Sequence, residues 1–249
     1  MLEKMSDFFN RRLDGYEEHQ MHAIEQAEIF YPFTAEQLPA NAHARVLDLG
    51  CGTGLELGYY FARKPTAAVT GIDLAGDMLN ALRQKFPDKA LTLVQGSYFA
   101  IPLEENCYDA VVSVESLHHF TQEEKIPLYR NVFRALVPGG FLILTDYFAE
   151  SDEQEAFFRR ELQRLKAEQG IRDETFYHYD TPLTVAHERE ALQKAGFPAS
   201  RSWDTGVPPI CCVRKNERVL KCNRGFPCGK PRLFYCSTSY GQVVIPPNS

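Results

Sequence analysis

The sequence predicts a doubly wound α/β domain: a mainly parallel sheet with helices on both faces, preceded by a helical N-terminal cap. Three observations predict it. Short, almost wholly apolar runs such as Arg45-Val-Leu-Asp-Leu49 and Tyr108-Asp-Ala-Val-Val-Ser-Val114 alternate with stretches of helical periodicity. Strands of that composition are buried on both sides, as a parallel sheet covered by crossover helices requires. The first run also ends in Gly50-Cys-Gly-Thr-Gly54, a turn that leads directly into a helix.

Each element follows from local pattern. Ser6 is placed to cap a helix through Asp7 to Tyr31, with Phe8, Phe9, Leu13, Met21, Ile24, Ala27 and Ile29 at roughly helical spacing and Gly15 as an interruption. Strands are expected over 45–49, 67–72, 91–94, 108–114 and 141–145, and helices over 55–62, 76–86, 121–136, 152–169 and 185–195. Pro87, Pro138-Gly-Gly140 and Gly196 supply the stops. The chain divides into a cap (1–40), a body (41–202) and a tail (203–249) of different composition.

Charge narrows the partners. The 249 residues carry a formal net charge of −6, and from Trp203 onward seven Lys/Arg face two Asp/Glu, so the tail is +5 and the body −11. An acidic body repels polyanions, so neither nucleic acid nor an anionic membrane is an expected partner, and a small molecule is. No apolar run reaches the roughly 18–20 residues of a membrane helix, and the first ten residues lack a basic start followed by an apolar stretch, which reads as cytoplasmic. Oligomeric state is left open. Five of the seven cysteines lie in the tail without C-x₂-C pairing, so no metal site is assigned.

Ligands of an open parallel sheet bind beyond the carboxyl ends of its strands. There, glycines 50, 52 and 54 let the backbone come close to a ligand, and the helix that follows aims free N–H groups at the same place. Asp73, about 20 residues on at the end of the second strand, is where a carboxylate accepts both hydroxyls of a ribose; it also fits a plain helix cap. Together these indicate a nucleoside cofactor. A phosphate-binding P-loop would need Gly-Lys-Ser/Thr, which is absent, and a dinucleotide fingerprint begun at Gly50 would need glycine where Leu55 stands.

Asp48, Gly50, Gly52 and Gly54 resemble the first motif of the class I methyltransferase family, acid-x-Gly-x-Gly-x-Gly. The resemblance covers about residues 40–150 by motif, including Arg134 to Phe141 before strand five, and extends to about 200 by order of elements. It implies a Rossmann-like methyltransferase fold and S-adenosyl-L-methionine as methyl donor. It also implies that Gly50, Cys51, Gly52, Thr53 and Gly54 contact the methionine part of the donor, that Asp73 binds the ribose, and that Leu74 and Met78 line the pocket. Where the family commonly has an adenine-binding Asp, this chain has Ser97, followed by Tyr98. Val114 and Glu115 close strand four beside the donor, and Tyr16 is carried over as a residue folding across it.

Methyl transfer is an in-line displacement dominated by positioning and exclusion of water. Candidate bases are His119, Glu115 and Tyr147, with His118 and Asp146 nearby. Adjacent His118 and His119 are not expected to face the pocket together, and either fits a structural role. Phe9, Arg12, Tyr16 and His19 of the cap and the stretch Phe176-Tyr-His-Tyr-Asp180 are expected to close the acceptor pocket. Motifs for methylating DNA bases are absent after strand four. Alternatives are a non-catalytic S-adenosylmethionine-binding protein and a nicotinamide-dependent oxidoreductase.

The family's antiparallel closing strands belong after Phe197. Pro208 and Pro209 interrupt that region, so the closing strand is expected to be missing. A reading frame shifted by two nucleotides from Trp203, which degeneracy allows to encode Trp-Gly-Ala-Thr, or a disordered extension, would account for the tail.

Overall fold

The computed structural model describes residues 1–198 and the backbone of 201–203 and 210–214. Its centre is a seven-stranded sheet of order β3-β2-β1-β4-β5-β7-β6, formed by β1 (Arg45–Leu49), β2 (Ala68–Asp73), β3 (Ala90–Gln95), β4 (Tyr108–Val114), β5 (Leu136–Thr145), β6 (Arg201–Trp203) and β7 (Ile210–Arg214). The first five run parallel. Two crossovers outward to β3, then one back past β1 to β4 and one on to β5, place the topological switch between β1 and β4, where a ligand crevice opens beyond the carboxyl ends.

The covering helices are α4 (Leu55–Arg63), α5 (Gly76–Lys85), α6 (Gln122–Ala135), α7 (Asp152–Glu168) and α8 (Val185–Lys194). Polar side chains set their starts. Thr121 and Glu124 form a reciprocal capping box on α6, and Ser151 and Thr184 cap α7 and α8. The strands are buried on both faces: Val46, Leu47, Leu49, Val111, Val112, Leu142 and Ile143 are fully enclosed in two apolar layers.

The cap differs from a single interrupted helix. It forms α1 (Met5–Arg11), α2 (Tyr16–Ala23) and α3 (Ala27–Gln37). Gly15 and Gln26 adopt left-handed backbone at the two breaks, φ +81° and +62°, and Lys4 rather than Ser6 occupies the first cap position. The last helix packs on the sheet through a buried contact of Thr34 Oγ1 with Thr145 Oγ1 at 2.6 Å.

The closing strands are present, which corrects the expected loss. β7 pairs antiparallel with β5 from Phe141↔Arg214 to Thr145↔Ile210, and β6 pairs with β7. Pro208 and Pro209 precede the paired residues in sequence. The remainder of the tail, including the shifted-frame reading, lies outside the described residues. No helix among the described residues is long and apolar enough to cross a membrane.

A buried ion pair joins α6 to α8. Lys125 Nζ lies 2.6 Å from Glu188 Oε2, both side chains are at most 3% exposed, and Tyr129 donates to the other carboxylate oxygen. Lys125→Met strands a buried carboxylate and is expected to lower the unfolding free energy by about 3–5 kcal/mol, whereas Lys125→Met with Glu188→Met recovers most of it. Urea unfolding compares them; equal losses in single and double variants would refute this account.

Candidate active site

The glycine turn is built as its spacing requires. Gly50, Gly52 and Gly54 all have positive φ, +77°, +47° and +70°, a backbone path that side chains disfavour. Gly50 N–H donates to Ile72 O at 2.8 Å, tying the turn to β2. A Cβ on Gly50 would lie 2.1 Å from Ser116 Oγ, and one on Gly54 would lie 2.6 Å from Leu82 Cδ1. Gly52 differs, because the atom nearest its missing Cβ is Tyr16 Oη at 3.6 Å. The turn thus presents a bare peptide under the Tyr16 phenol. Burial and the facing carboxylates of Asp73, Glu56 and Glu115 raise the Tyr16 hydroxyl's pKa, so it stays protonated.

Asp73 ends β2 and spans the crevice. Its Oδ2 accepts from Gly52 N–H at 2.9 Å and its Oδ1 from Ala75 N–H at 2.8 Å. Each oxygen keeps a further lone pair, enough for two hydroxyls. Burial raises the pKa of this carboxyl and the backbone N–H donors oppose the rise.

Asp48 lies beneath the turn at 1% exposure and shares a hydrogen bond with Glu56 at 4%. Burial drives both carboxyls upward, so one proton serves the pair. Asp48 Oδ2 and Thr53 Oγ1 are buried with no hydrogen-bond partner. Such atoms await a donor, and a methionine-type ammonium is one. Met78 and Val114 are buried and Leu74 half-buried around the crevice. Cys51 turns inward, its Sγ 2.6 Å from where a Gly71 Cβ would be, and burial raises its thiol pKa. Only its backbone is left for a ligand.

Ser97 and Tyr98 follow directly on the end of β3 and Gly96. Ser97 Oγ accepts from Phe99 N–H at 3.2 Å, and Tyr98 is enclosed in the core with its hydroxyl 3.2 Å from Ser116 Oγ. Tyr98 therefore braces the loop after β4 from within.

At the ends of β4 and β5 the structure assembles a dense polar cluster. Glu115 holds a left-handed backbone, φ +49°. Burial and the neighbouring Asp146 carboxylate push its carboxyl up to about 8, and it makes no hydrogen bond with the described side chains. A short 3₁₀ turn, Leu117–His119, follows. Contrary to expectation both histidines face the same place, with ring centroids 4.0 Å apart. His118 Nδ1 lies 2.5 Å from Asp146 Oδ1, and Asp146 Oδ2 accepts from the backbone N–H of Leu117 and His118. A 3₁₀ turn pinned on one carboxylate brings consecutive side chains to one side.

Asp180 completes the cluster. Its Oδ1 is 3.0 Å from His119 Nδ1 and 3.5 Å from His118 Nε2, and the Tyr147 hydroxyl donates to its carboxylate. Burial lowers the His119 pKa, aided by His118, whereas the Asp146 and Asp180 carboxylates overcome burial and raise that of His118. Burial, then Asp180, raises the Tyr147 phenol. Sequence reading included Asp180 in an aromatic stretch without assigning it this role.

The strap that carries Asp180 also holds the cap. Met5 N–H donates to Phe176 O and His178 N–H to Glu3 O, each at 2.9 Å, while Thr181 N–H donates to His118 O at 2.8 Å. His178 stacks on Phe8, centroids 3.4 Å apart, and Phe9 meets His119 edge-on. Arg12 and His19 do not join them: Arg12 turns outward over Phe8 to pair with Glu3 at 3.2 Å, and His19 is exposed on α2. A cavity of about 580 Å³ on the face of β2 and β3, against Ile101 and Leu103, contains none of the proposed catalytic residues.

Residues 46–140 match a methyltransferase-domain family. The chain is 33% identical over 141 residues to the fatty-acid O-methyltransferase of Mycolicibacterium smegmatis, covering 53% of this chain and 50% of that protein. The chain thus spans half the length of that relative. It is 23% identical over 238 residues to the malonyl-[acyl-carrier protein] O-methyltransferase of Bacillus cereus, 91% of this chain and 84% of that one. In fold it matches a putative O-methyltransferase from Nostoc punctiforme with a TM-score of 0.61 at 21% identity, over 84% of this chain and 59% of that one.

The methyltransferase domain's turn has unequal tolerance. Gly54→Ala strains a left-handed residue and strikes Leu82, and is expected to lower stability by about 1–3 kcal/mol. Gly52→Ala meets no atom nearer than 3.6 Å and is expected to lose less. Thermal melting of the two variants checks the order; a larger loss for Gly52→Ala would contradict it.

Proposed function

We propose that this protein transfers the methyl group of S-adenosylmethionine to a small-molecule oxygen acceptor. The observation that carries the reading is the bare Gly52 peptide held between the Asp73 carboxylate and the Tyr16 phenol. In this reading Gly50 to Gly54 cradle the methionine part, with the unpartnered Asp48 and Thr53 oxygens beneath it. Asp73 accepts from the ribose hydroxyls, and Leu74, Met78 and Val114 wall the pocket. Ser97 and the backbone around it border the adenine. The relatives named above act, by name, on a fatty acid and on malonyl-acyl carrier protein through oxygen, and this favours an oxygen nucleophile.

When bound, the donor supplies a methyl carbon made electrophilic by its sulfonium. The acceptor oxygen bonds to that carbon as the carbon–sulfur bond breaks, and the electron pair stays on sulfur as a thioether. The protein's share is alignment and exclusion of water. Phe9 and the strap at 176–180 cover the acceptor side. A neutral acceptor must release a proton, and Glu115 is placed to take it once ionised, above about pH 8, because among the described residues its carboxyl makes no hydrogen bond while those of Asp146 and Asp180 are engaged. His119 and Tyr147 fix the acceptor's surroundings from the other side.

Titration calorimetry with S-adenosylmethionine, its demethylated product and NAD tests the donor assignment. The first two are expected to bind and NAD not to; binding of NAD alone overturns the reading. Asp73→Asn is expected to weaken donor binding at least ~10-fold, the scale of one lost charge-assisted hydrogen bond. Gly52→Ala is expected to abolish measurable binding while the protein still melts cooperatively. Labelled donor with a panel of carboxylic and hydroxylic acceptors then finds the substrate.

A further inference from the structure

The cluster beyond β4 and β5 holds more than a proton acceptor and its neighbours require. His118, His119 and Asp180 each offer one ligand atom, and these atoms all lie within 4.8 Å of one another. The Asp180 oxygen is 3.0 Å from His119 Nδ1 and 3.5 Å from His118 Nε2. Ligand atoms that share an ion at about 2.0–2.2 Å lie about 3.0–3.5 Å apart.

The outer partners fit as well. Asp146 accepts three backbone N–H groups, from Leu117, His118 and Tyr147. Its carboxylate is therefore the acceptor toward His118 Nδ1, which must carry the proton. That arrangement turns His118 Nε2 toward the Asp180 carboxylate at 3.5 Å, where a proton on Nε2 or a bound cation lies between them. A carboxylate behind a ligating imidazole is the usual support of a metal-bound histidine. No Lys or Arg among the described residues forms an ion pair with Asp146 or Asp180. The two imidazoles are 7% and 4% exposed and firmly held, whereas Asp180 is 42% exposed, which leaves an entry side.

We propose that His118 Nε2, His119 Nδ1 and the Asp180 carboxylate bind one divalent transition-metal ion, with Asp146 fixing the His118 ring from outside. Two imidazoles and one carboxylate form a borderline donor set suited to zinc, iron or manganese rather than calcium or magnesium. Three protein ligands leave positions open on the Asp180 side for water or an acceptor oxygen, which a Lewis acid polarises. His119 is then a ligand, and proton acceptance stays with Glu115. The site does not depend on the donor assignment.

Cobalt(II) titration of the full chain after chelator treatment tests this, with zinc competition and elemental analysis for stoichiometry. The expected result is one equivalent, displaceable by zinc, with visible d–d bands and no near-ultraviolet thiolate charge-transfer band, which excludes the tail cysteines as ligands. His119→Ala and Asp180→Ala are expected to weaken binding more than about 100-fold, and Asp146→Asn about 10–100-fold. Thermal melting reports folding, and if an alanine variant fails to fold, His119→Gln and Asp180→Asn replace it. Absence of stoichiometric cobalt, a thiolate band, or undiminished binding in folded Asp180 and His119 variants would each overturn the proposal. Loss of donor binding with intact cobalt binding overturns the methyl-transfer reading instead.

Discussion

The close approach of the loops after β1 and β4 governs the donor side of this molecule. At the switch point the two loops leave neighbouring strands in opposite directions, yet Gly50 must pass so near Ser116 that no Cβ fits between them. Tyr98 holds Ser116 from the core, and Asp73 holds Gly52 from β2. The loops after β1, β2, β3 and β4 are consequently one hydrogen-bonded unit. Its donors are largely backbone N–H groups, fixed by the sheet before any ligand arrives, so little further ordering is needed on binding.

The acceptor side rests on a different constraint, the strap between α7 and α8. Over a few residues it pairs with the N-terminal segment, covers the histidine turn and supplies Asp180, then joins the segment after β5 through Ala149 N–H to Leu183 O at 2.9 Å before Thr184 caps α8. The cap and the polar cluster therefore share a mechanical link. Displacing α1 from Phe176 and His178 would pull on the same backbone that places Asp180. In the proposed reaction this segment would couple the entry of an acceptor to the geometry of the groups that meet it.

The sheet was legible because its signals are local. Apolar runs, glycine turns and capping residues each act within a few positions, and the ends of most elements fall within a residue or two of the pattern. The glycine turn and its contact with Asp73 were legible for a related reason, since one turn and one strand end contain nearly all of it. The acceptor side was harder to read, because Asp180 meets His118 and His119 only through the tertiary path of the strap. The joint orientation of the two histidines depends on a 3₁₀ turn pinned by Asp146, and nothing in Ser116-Leu-His-His119 announces that pin. The closing strand was misjudged for a positional reason: two prolines weaken a strand that contains them, and here they precede it.

The density of carboxylates carries a mechanistic consequence. In the proposed reaction a sulfonium would sit among Asp73, Glu115, Asp146 and Asp180, and transfer of its methyl group to an anionic oxygen would dissipate that positive charge. A uniformly negative site stabilises the charged donor more than the transition state and so opposes the reaction. Relief requires that the negative charge on the acceptor side be neutralised while that on the donor side is kept. Protonation of Glu115 would achieve part of this, and the cation proposed at His118, His119 and Asp180 would achieve more, because it would attract an oxygen acceptor to the side of the methyl group away from sulfur. The two halves of the crevice then have opposite tasks, holding a cation on one side and drawing an oxygen nucleophile toward it on the other.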